Sequence, residues 1–325
     1  YAAELFNEPN APEPGRMPQG HSAADFARDF AAFKTFIDQA APDVKLAGPG
    51  VATLGVPVPV PALERETPEQ YMTADPRPAF DIVSYHFYGA IAERCAPPDS
   101  PAGVSAEQAL SEAWLARPDK PFLRHKALRD EHAPGAPIWL TETGAAACGG
   151  TRWQPTFLDV FRYLDTHARL ARQGLDAMFT HALISGSNGV IDEKTFMPNA
   201  SYWAAVLWRR LMGAKVLDAG VTRPGVHVYA HCQRGTPGGV TILAINLRTT
   251  PTKIAVSGPV ELYALTAAEL QSRTVLLNGR PLALGPDDAL PALAPTRLDE
   301  DTIALAPTSV SFLSLPQAGH PSCGP

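Results

Sequence analysis

Two short segments carry acid side chains in settings that suit bond-breaking chemistry. "AELFNEPN" sets Glu8 between Asn7 and Pro9, just after a short apolar run. "PIWLTETGAAACGG" sets Glu142 after Trp139 and Leu140 and before a run of small residues. Hydrolysis of a glycosidic bond needs two carboxyls facing one anomeric carbon. One is protonated and assists the leaving oxygen; the other is ionised and acts as nucleophile or base. A lone Glu at a strand end is more often structural or solvated. Two such motifs in one chain, on different strands, point to catalysis by Glu8 and Glu142. Asn7 can bond a sugar 2-hydroxyl, or satisfy backbone at a turn. In "VSYHFYG", His86 and Tyr88 share one strand face. Tyr88 is expected to bond the Glu142 carboxylate and keep it aimed, or to pack as a rim aromatic. His86 either lines the same mouth or is a satisfied core histidine.

Other chemistries lack their residues. "GPGVAT" has no lysine for a phosphate loop, and "GSNG" is not a nucleophile elbow. Neither HExxH nor paired Cys/His spacing is present, so no metal and no cofactor is expected. A net charge of −6 excludes a nucleic-acid footprint. The basic run Arg117, Lys120, Arg124, Lys126, Arg129 is interleaved with Asp119 and Asp130 and reads as a solvated helix face. No apolar run reaches the ~18 residues of a membrane span. Asn199-Ala200-Ser201 is a glycosylation sequon, meaningful only in a eukaryotic secretory source.

Strands and helices must position the acids. "AELF", "VKLAGPG", "FDIVSYHFYG", "PIWLTETG" and "DAMFTHALISG" read as strands, the second stopping at Gly48-Pro49-Gly50. Between them, Phe26, Phe30, Phe33 and Ile37 recur at helical spacing behind a capping box of Ser22 and Asp25. Ser105 to Arg129 is a mostly polar helical region. Phe157, Phe161, Leu164 and Ala168 mark another helix, with Gly174 as its cap, and "YWAAVLWRRLMG" one more. Alternating units of this kind make a parallel sheet with its chemistry at the strands' carboxyl ends. After about Gly213 the runs are short and β-rich, parted by Pro, Gly and Asn turns; Asn278-Gly279 is a hairpin signal. The expected architecture is an incomplete (β/α)8 barrel over 1–212, then an antiparallel β-sandwich over 213–325.

These segments together resemble glycoside hydrolase family 79, the heparanase and β-glucuronidase family. "FNEPN" is similar to its acid/base strand end, "VSYHFYG" to its sixth-strand motif and "WLTETGAAACGG" to its nucleophile segment. "GVIDEKTFMPNASYW" and the β-rich runs resemble its barrel exit and β-module, Cys232 and Cys323 included. The resemblance implies a retaining mechanism, with Glu8 as acid/base and Glu142 as nucleophile. It implies that a glucuronate carboxylate is met by backbone N–H groups at Cys148, Gly149 and Gly150. Where the family often has a tyrosine near that carboxylate, this chain has Asn188 in "GSNGVIDE". "VPVPVPALERETPEQY" lacks the basic character of a heparin-contacting segment, against a strict heparan sulfate preference. The expected substrate is a glucuronic-acid-containing oligo- or polysaccharide. The alternatives are a retaining glycosidase of the same barrel clan acting on neutral pentosides, and a non-catalytic carbohydrate-binding relative.

The four cysteines form an even set: two disulfides or four inert thiols. Cys232 with Cys323 would pin the tail to the β-module. Cys95 and Cys148, in loops after consecutive strands, would bridge at the rim, unless Cys148 is a buried thiol. Two bridges imply a secreted or periplasmic protein. The five strands counted are strands 4–8 of an eight-stranded barrel. Strands 1–3 are therefore expected on a removed, untranslated or separately supplied segment, without which the chain should be poorly soluble and inactive.

Overall fold

A computed structural model describes residues 1–324 apart from 12–16, 19, 58–65, 97–99 and 221–222. Half of the "VPVPVPALERETPEQY" segment thus lies outside the described residues. The chain forms two compact units. The first is built from Tyr1–Val104, Arg117–Cys148 and Gln173–His181; the second from Ser105–Ala116, Gly149–Arg172 and Ala182–Pro325.

The first unit contains β1 (Ala2–Glu4), α1 (Ala23–Ala40), β2 (Lys45–Leu54), α2 (Pro68–Thr73) and β3 (Ile82–Ile91). After α3 (Glu112–Leu115), which belongs to the second unit, come α4 (Asp119–His132), β4 (Ile138–Ala147) and β5 (Ala177–Thr180). The five strands make one parallel sheet in the order β1-β2-β3-β4-β5, consistent with part of a (β/α)8 barrel. Ser22 and Asp25 form the capping box of α1, which buries Phe26, Phe30 and Ile37 and half-buries Phe33. Phe30 meets Phe80 edge-on at 4.8 Å, and Phe26 meets Tyr71 at 5.3 Å, so the helix docks through aromatic contacts.

Several elements depart from the expected ones, each for a local reason. β2 continues through Gly48-Pro49-Gly50 to Leu54, because a register shift between Pro49 and Val51 absorbs the two breakers. Gly48 serves close packing there: a Cβ would lie 2.3 Å from Phe80. β4 runs five residues beyond Glu142, held by pairing with β3 as far as Ile91 and Ala147. β5 is shorter than its apolar run. The helical region from Ser105 resolves into α3 and α4, parted at Pro118. The basic run is not a purely solvated face. Arg117 donates to the Gly89 carbonyl at 2.6 Å, Lys126 to that of Gln173 at 2.7 Å, and Arg129 to that of Ala136. Cys95 and Cys148 are bridged in this unit.

In the second unit, α5 (Phe157–Gln173) and α6 (Ala200–Leu211) precede β6 (Met212–Leu217), β7 (Val226–Gln233), β8 (Val240–Asn246), β9 (Thr252–Ala255) and β10 (Val260–Thr266). β11 (Leu276–Leu277), β12 (Arg280–Pro281), β13 (Thr296–Leu298), β14 (Thr302–Leu305) and β15 (Ser309–Leu315) follow. An eight-stranded antiparallel sheet runs β12-β11-β10-β15-β8-β7-β6, with β13 on β10; β9 and β14 pair as a separate ribbon. Phe157, Phe161, Leu164 and Ala168 of α5 pack with Trp203 and Leu207 of α6 and with Tyr229, Leu243 and Phe312 of the sheet. A second cluster, Ala244, Val256, Ile303, Leu305 and Leu313, joins the ribbon to the sheet. Asn278 and Gly279, at φ +49° and +77°, make the tight turn from β11 to β12 that their residue types predict. Cys232 and Cys323 are bridged here, as their positions suggested.

Candidate active site

Glu8, His86, Tyr88 and Glu142 lie in the first unit, on the adjacent strands β3 and β4 and in the turn after β1. Glu8 follows β1 by four residues and sits at φ +50°, a left-handed conformation that costs a non-glycine residue on the order of 1–3 kcal/mol. The surroundings hold it there. Its N–H donates to the Gly50 carbonyl at 3.2 Å, and its carbonyl accepts from Ala11 N–H at 2.9 Å. Asn10 grips Ala52 of β2 through both backbone groups, at 3.0 and 2.8 Å. The result is a buried Glu8 carboxyl, 11% exposed.

His86 and Glu142 are register partners on β3 and β4. Tyr85 pairs with Leu140, and His86 then pairs with Glu142; the skipped Thr141 turns both side chains to one face. The His86 Nδ1–H donates to Glu8 Oε1 at 3.1 Å and lies 3.8 Å from Glu142 Oε2. The Tyr88 hydroxyl donates to Glu142 Oε1 at 2.6 Å. Donor atoms of Glu8, His86 and Glu142 all fall within 4.8 Å of one another. Burial alone would lower the His86 pKa. Hydrogen bonds to Glu4 and Glu8 and the charge of Glu142 outweigh it and raise the value to about 9. The imidazole is therefore a cation at neutral pH. One imidazole and two carboxylates within this distance are also a ligand set for a divalent ion, which would have to displace the imidazole proton on binding.

The structure thus brings Glu8, His86, Tyr88 and Glu142 together, the last three inside strands rather than at their ends and Glu8 in the turn after β1. Asn7 is exposed. Cys148 has φ +66° and is bridged to Cys95. Gly149, Gly150 and Asn188 belong to the second unit. There the Gly149 carbonyl accepts from Ser187 N–H at 2.9 Å. A Cβ on Gly150 would lie 2.6 Å from Gln154 Oε1 and 2.7 Å from Asn188 Oδ1, so glycine permits a close polar approach. Asn199 is buried and its Nδ2 donates to the Gly189 carbonyl at 2.8 Å, which closes the sequon to modification in the folded chain.

Three residues around the pair have no motif to announce them. Glu4 Oε2 accepts from Ser84 Oγ at 2.5 Å and Thr141 Oγ1 at 3.2 Å, and Glu4 Oε1 is 3.5 Å from His86 Nε2. Asn10 anchors the Glu8 turn. His181, 38% exposed, lies 3.9 Å from Glu142 Oε2. Only the repeated amide in "NEPN" hints at Asn10.

The fold is that of barrel glycoside hydrolases. A GH51 arabinofuranosidase from Xanthomonas axonopodis pv. citri superposes with a TM-score of 0.64 at 19% identity, over 97% of this chain and 66% of that one. No family model matches the chain. Heparanase-like protein 1 of Arabidopsis thaliana is 30% identical over 285 residues, covering 75% of this chain and 51% of that protein. Baicalin-beta-D-glucuronidase of Scutellaria baicalensis is 34% identical over 194 residues, 56% of this chain and 36% of the enzyme. Inactive heparanase-2 of Homo sapiens is 31% identical over 220 residues, 59% of this chain and 37% of that protein. The chain spans about half the length of the first of these, and less of the others. It is a homologue of the heparanases and β-glucuronidases, glycoside hydrolase family 79.

Proposed function

We propose that the chain carries the two catalytic carboxyls of a retaining β-glucuronidase of heparanase type. One observation carries this. Glu8 and Glu142 present donor oxygens within 4.8 Å of each other, both facing Nδ1 of one imidazole. Retaining glycosidases hold their carboxyls ~5–5.5 Å apart, whereas inverting ones leave ~6.5–9.5 Å for a water. In the first step a Glu142 oxygen bonds to the anomeric carbon. The glycosidic bond breaks with its electron pair going to the leaving oxygen, which takes the proton of Glu8. In the second step Glu8 takes a proton from water, the hydroxide bonds to the same carbon, and Glu142 leaves as carboxylate. Tyr88 holds the attacking carboxylate in line. The glucuronide preference rests on the named relatives.

The same proposal keeps 1–212 as the catalytic part and 213–325 as the β-sandwich. It adds further strands to the parallel sheet, since among the described residues β1 pairs only with β2 and β5 only with β4. Two disulfides suit a secreted or periplasmic protein. No helix among the described residues is long and apolar enough to cross a membrane.

Glu142→Gln should abolish turnover of every glucuronide, since no glycosyl-enzyme can form. Glu8→Gln should spare aryl glucuronides with good leaving groups by 10- to 1000-fold or so relative to poor ones, because they need little proton assistance. Equal losses on all leaving groups would refute the roles. A second reading has one specific support: a homologue whose name marks it inactive. Saccharide binding without turnover of glucuronides or pentosides would select it. Turnover of pentosides alone would select the neutral-sugar alternative.

A further inference from the structure

Glu4 is the third carboxylate around His86, and nothing in the double displacement uses it. Its side chain is 21% exposed and is held from two strands. Ser84 of β3 and Thr141 of β4 both donate to its Oε2. That leaves Oε1 for His86 Nε2, at 3.5 Å. β2 makes room for it: at Gly50 a Cβ would sit 2.5 Å from Glu4 Oε1. His86 then faces Glu4 with one ring nitrogen and both Glu8 and Glu142 with the other.

We propose that Glu4 is a positioning residue for the carboxyl pair, acting through His86 as the fixed anion that holds the imidazole between Glu8 and Glu142. This rests on the retaining-glycosidase proposal for its consequence, though not for its geometry. Before attack the pair's negative charge is on Glu142. In the glycosyl-enzyme, Glu142 is a neutral ester and the charge is on Glu8. His86 lies 3.8 Å from the first and 3.1 Å from the second, so one cation serves both states without moving. Glu4 is the carboxylate that takes no part in either transfer, so its charge persists through the cycle. Its bond to Nε2 also fixes the ring orientation that aims Nδ1–H at Glu8 Oε1.

The titratable groups facing His86 are Glu4 on β1, Glu8 in the turn after it and Glu142 on β4; Tyr88 and His181 lie beyond Glu142. The test is a nitrogen-15 NMR titration of His86 in the full chain, with glucuronide pH profiles in parallel. In the unsubstituted protein both ring nitrogens should be protonated at neutral pH; a neutral His86 there overturns the proposal, whatever the variants do. In Glu4→Gln the His86 midpoint should fall by ~1 pH unit or more, the size expected for losing a charge within ~4–6 Å. The alkaline limb of kcat should fall with it, and Glu4→Asp should restore both in large part. An unmoved midpoint in folded Glu4→Gln overturns the proposal. A moved midpoint with no glucuronide turnover in any variant removes the glucuronidase assignment and leaves the hold of Glu4 on His86 supported.

Discussion

At the scale of single residues, two histidines of the first unit set opposite pH limits. His86 has its pKa raised to about 9 from an ordinary 6.5. The folded state therefore binds its proton more tightly. That stability is fully present below pH ~6.5 and is lost as pH rises through 9. His125 is the reverse. Burial first, then the charge of Arg124, lower its pKa to about 3, and it sits neutral, stacked on Tyr85 at 4.3 Å and bonded to Thr53. Its stability is present above pH ~6.5 and drains away as pH falls toward 3. Each limb should show a slope approaching ~1.4 kcal/mol per pH unit. Urea unfolding from pH 4 to 9.5 checks this: His125→Gln should flatten the acid limb and His86→Gln the alkaline one. That Glu8, Glu142 and Tyr88 would lie close together was legible because acid, amide and aromatic stood in short motifs after apolar runs. Glu4 was not. One Glu inside a short strand is indistinguishable in sequence from a solvated one, and its meaning comes from Ser84 and Thr141, which are distant in the chain.

Among the elements, β2 shows most clearly where local signals are overruled. Gly48-Pro49-Gly50 has the composition of a stop, yet pairing with β3 on one side and β1 on the other carries the strand on. Breaker residues report backbone freedom; whether a strand ends is decided by neighbours that sequence periodicity does not contain. The α1 capping box and the Asn278-Gly279 turn were legible for the opposite reason, since their hydrogen bonds close within a few residues. Gly50 joins both cases. It has φ +65° and no room for a Cβ beside Glu4. Gly50→Ala should destabilise the chain by on the order of 2 kcal/mol through backbone strain and displaced packing. Thermal unfolding measures this. A loss below a few tenths of a kcal/mol would show that Glu4 yields easily.

For the whole molecule, the disulfides are the strongest covalent constraint. Both predicted pairings are present, so denatured, unreduced protein should show no free thiol by titration. The Cys232–Cys323 bridge spans 91 residues. Removing it as Cys232→Ala with Cys323→Ala should cost about 4–5 kcal/mol in the chain-entropy model. A midpoint in guanidinium unchanged from the unsubstituted protein would contradict that.

The two units are threaded through each other along the chain: each takes three separate stretches, in alternation. For a polypeptide leaving the ribosome this has a temporal meaning. β5, the last strand of the parallel sheet, is made only after α5 and its flanking turn, which belong to the other unit. α5 in turn waits for β7, β8 and β15 to cover its apolar face. The parallel sheet has all its strands once His181 is made, whereas the core around α5 waits for β15, so that second core forms late and through non-local contacts. The nascent chain must carry α5 uncovered through that interval, a burden that falls on whatever holdase meets it first.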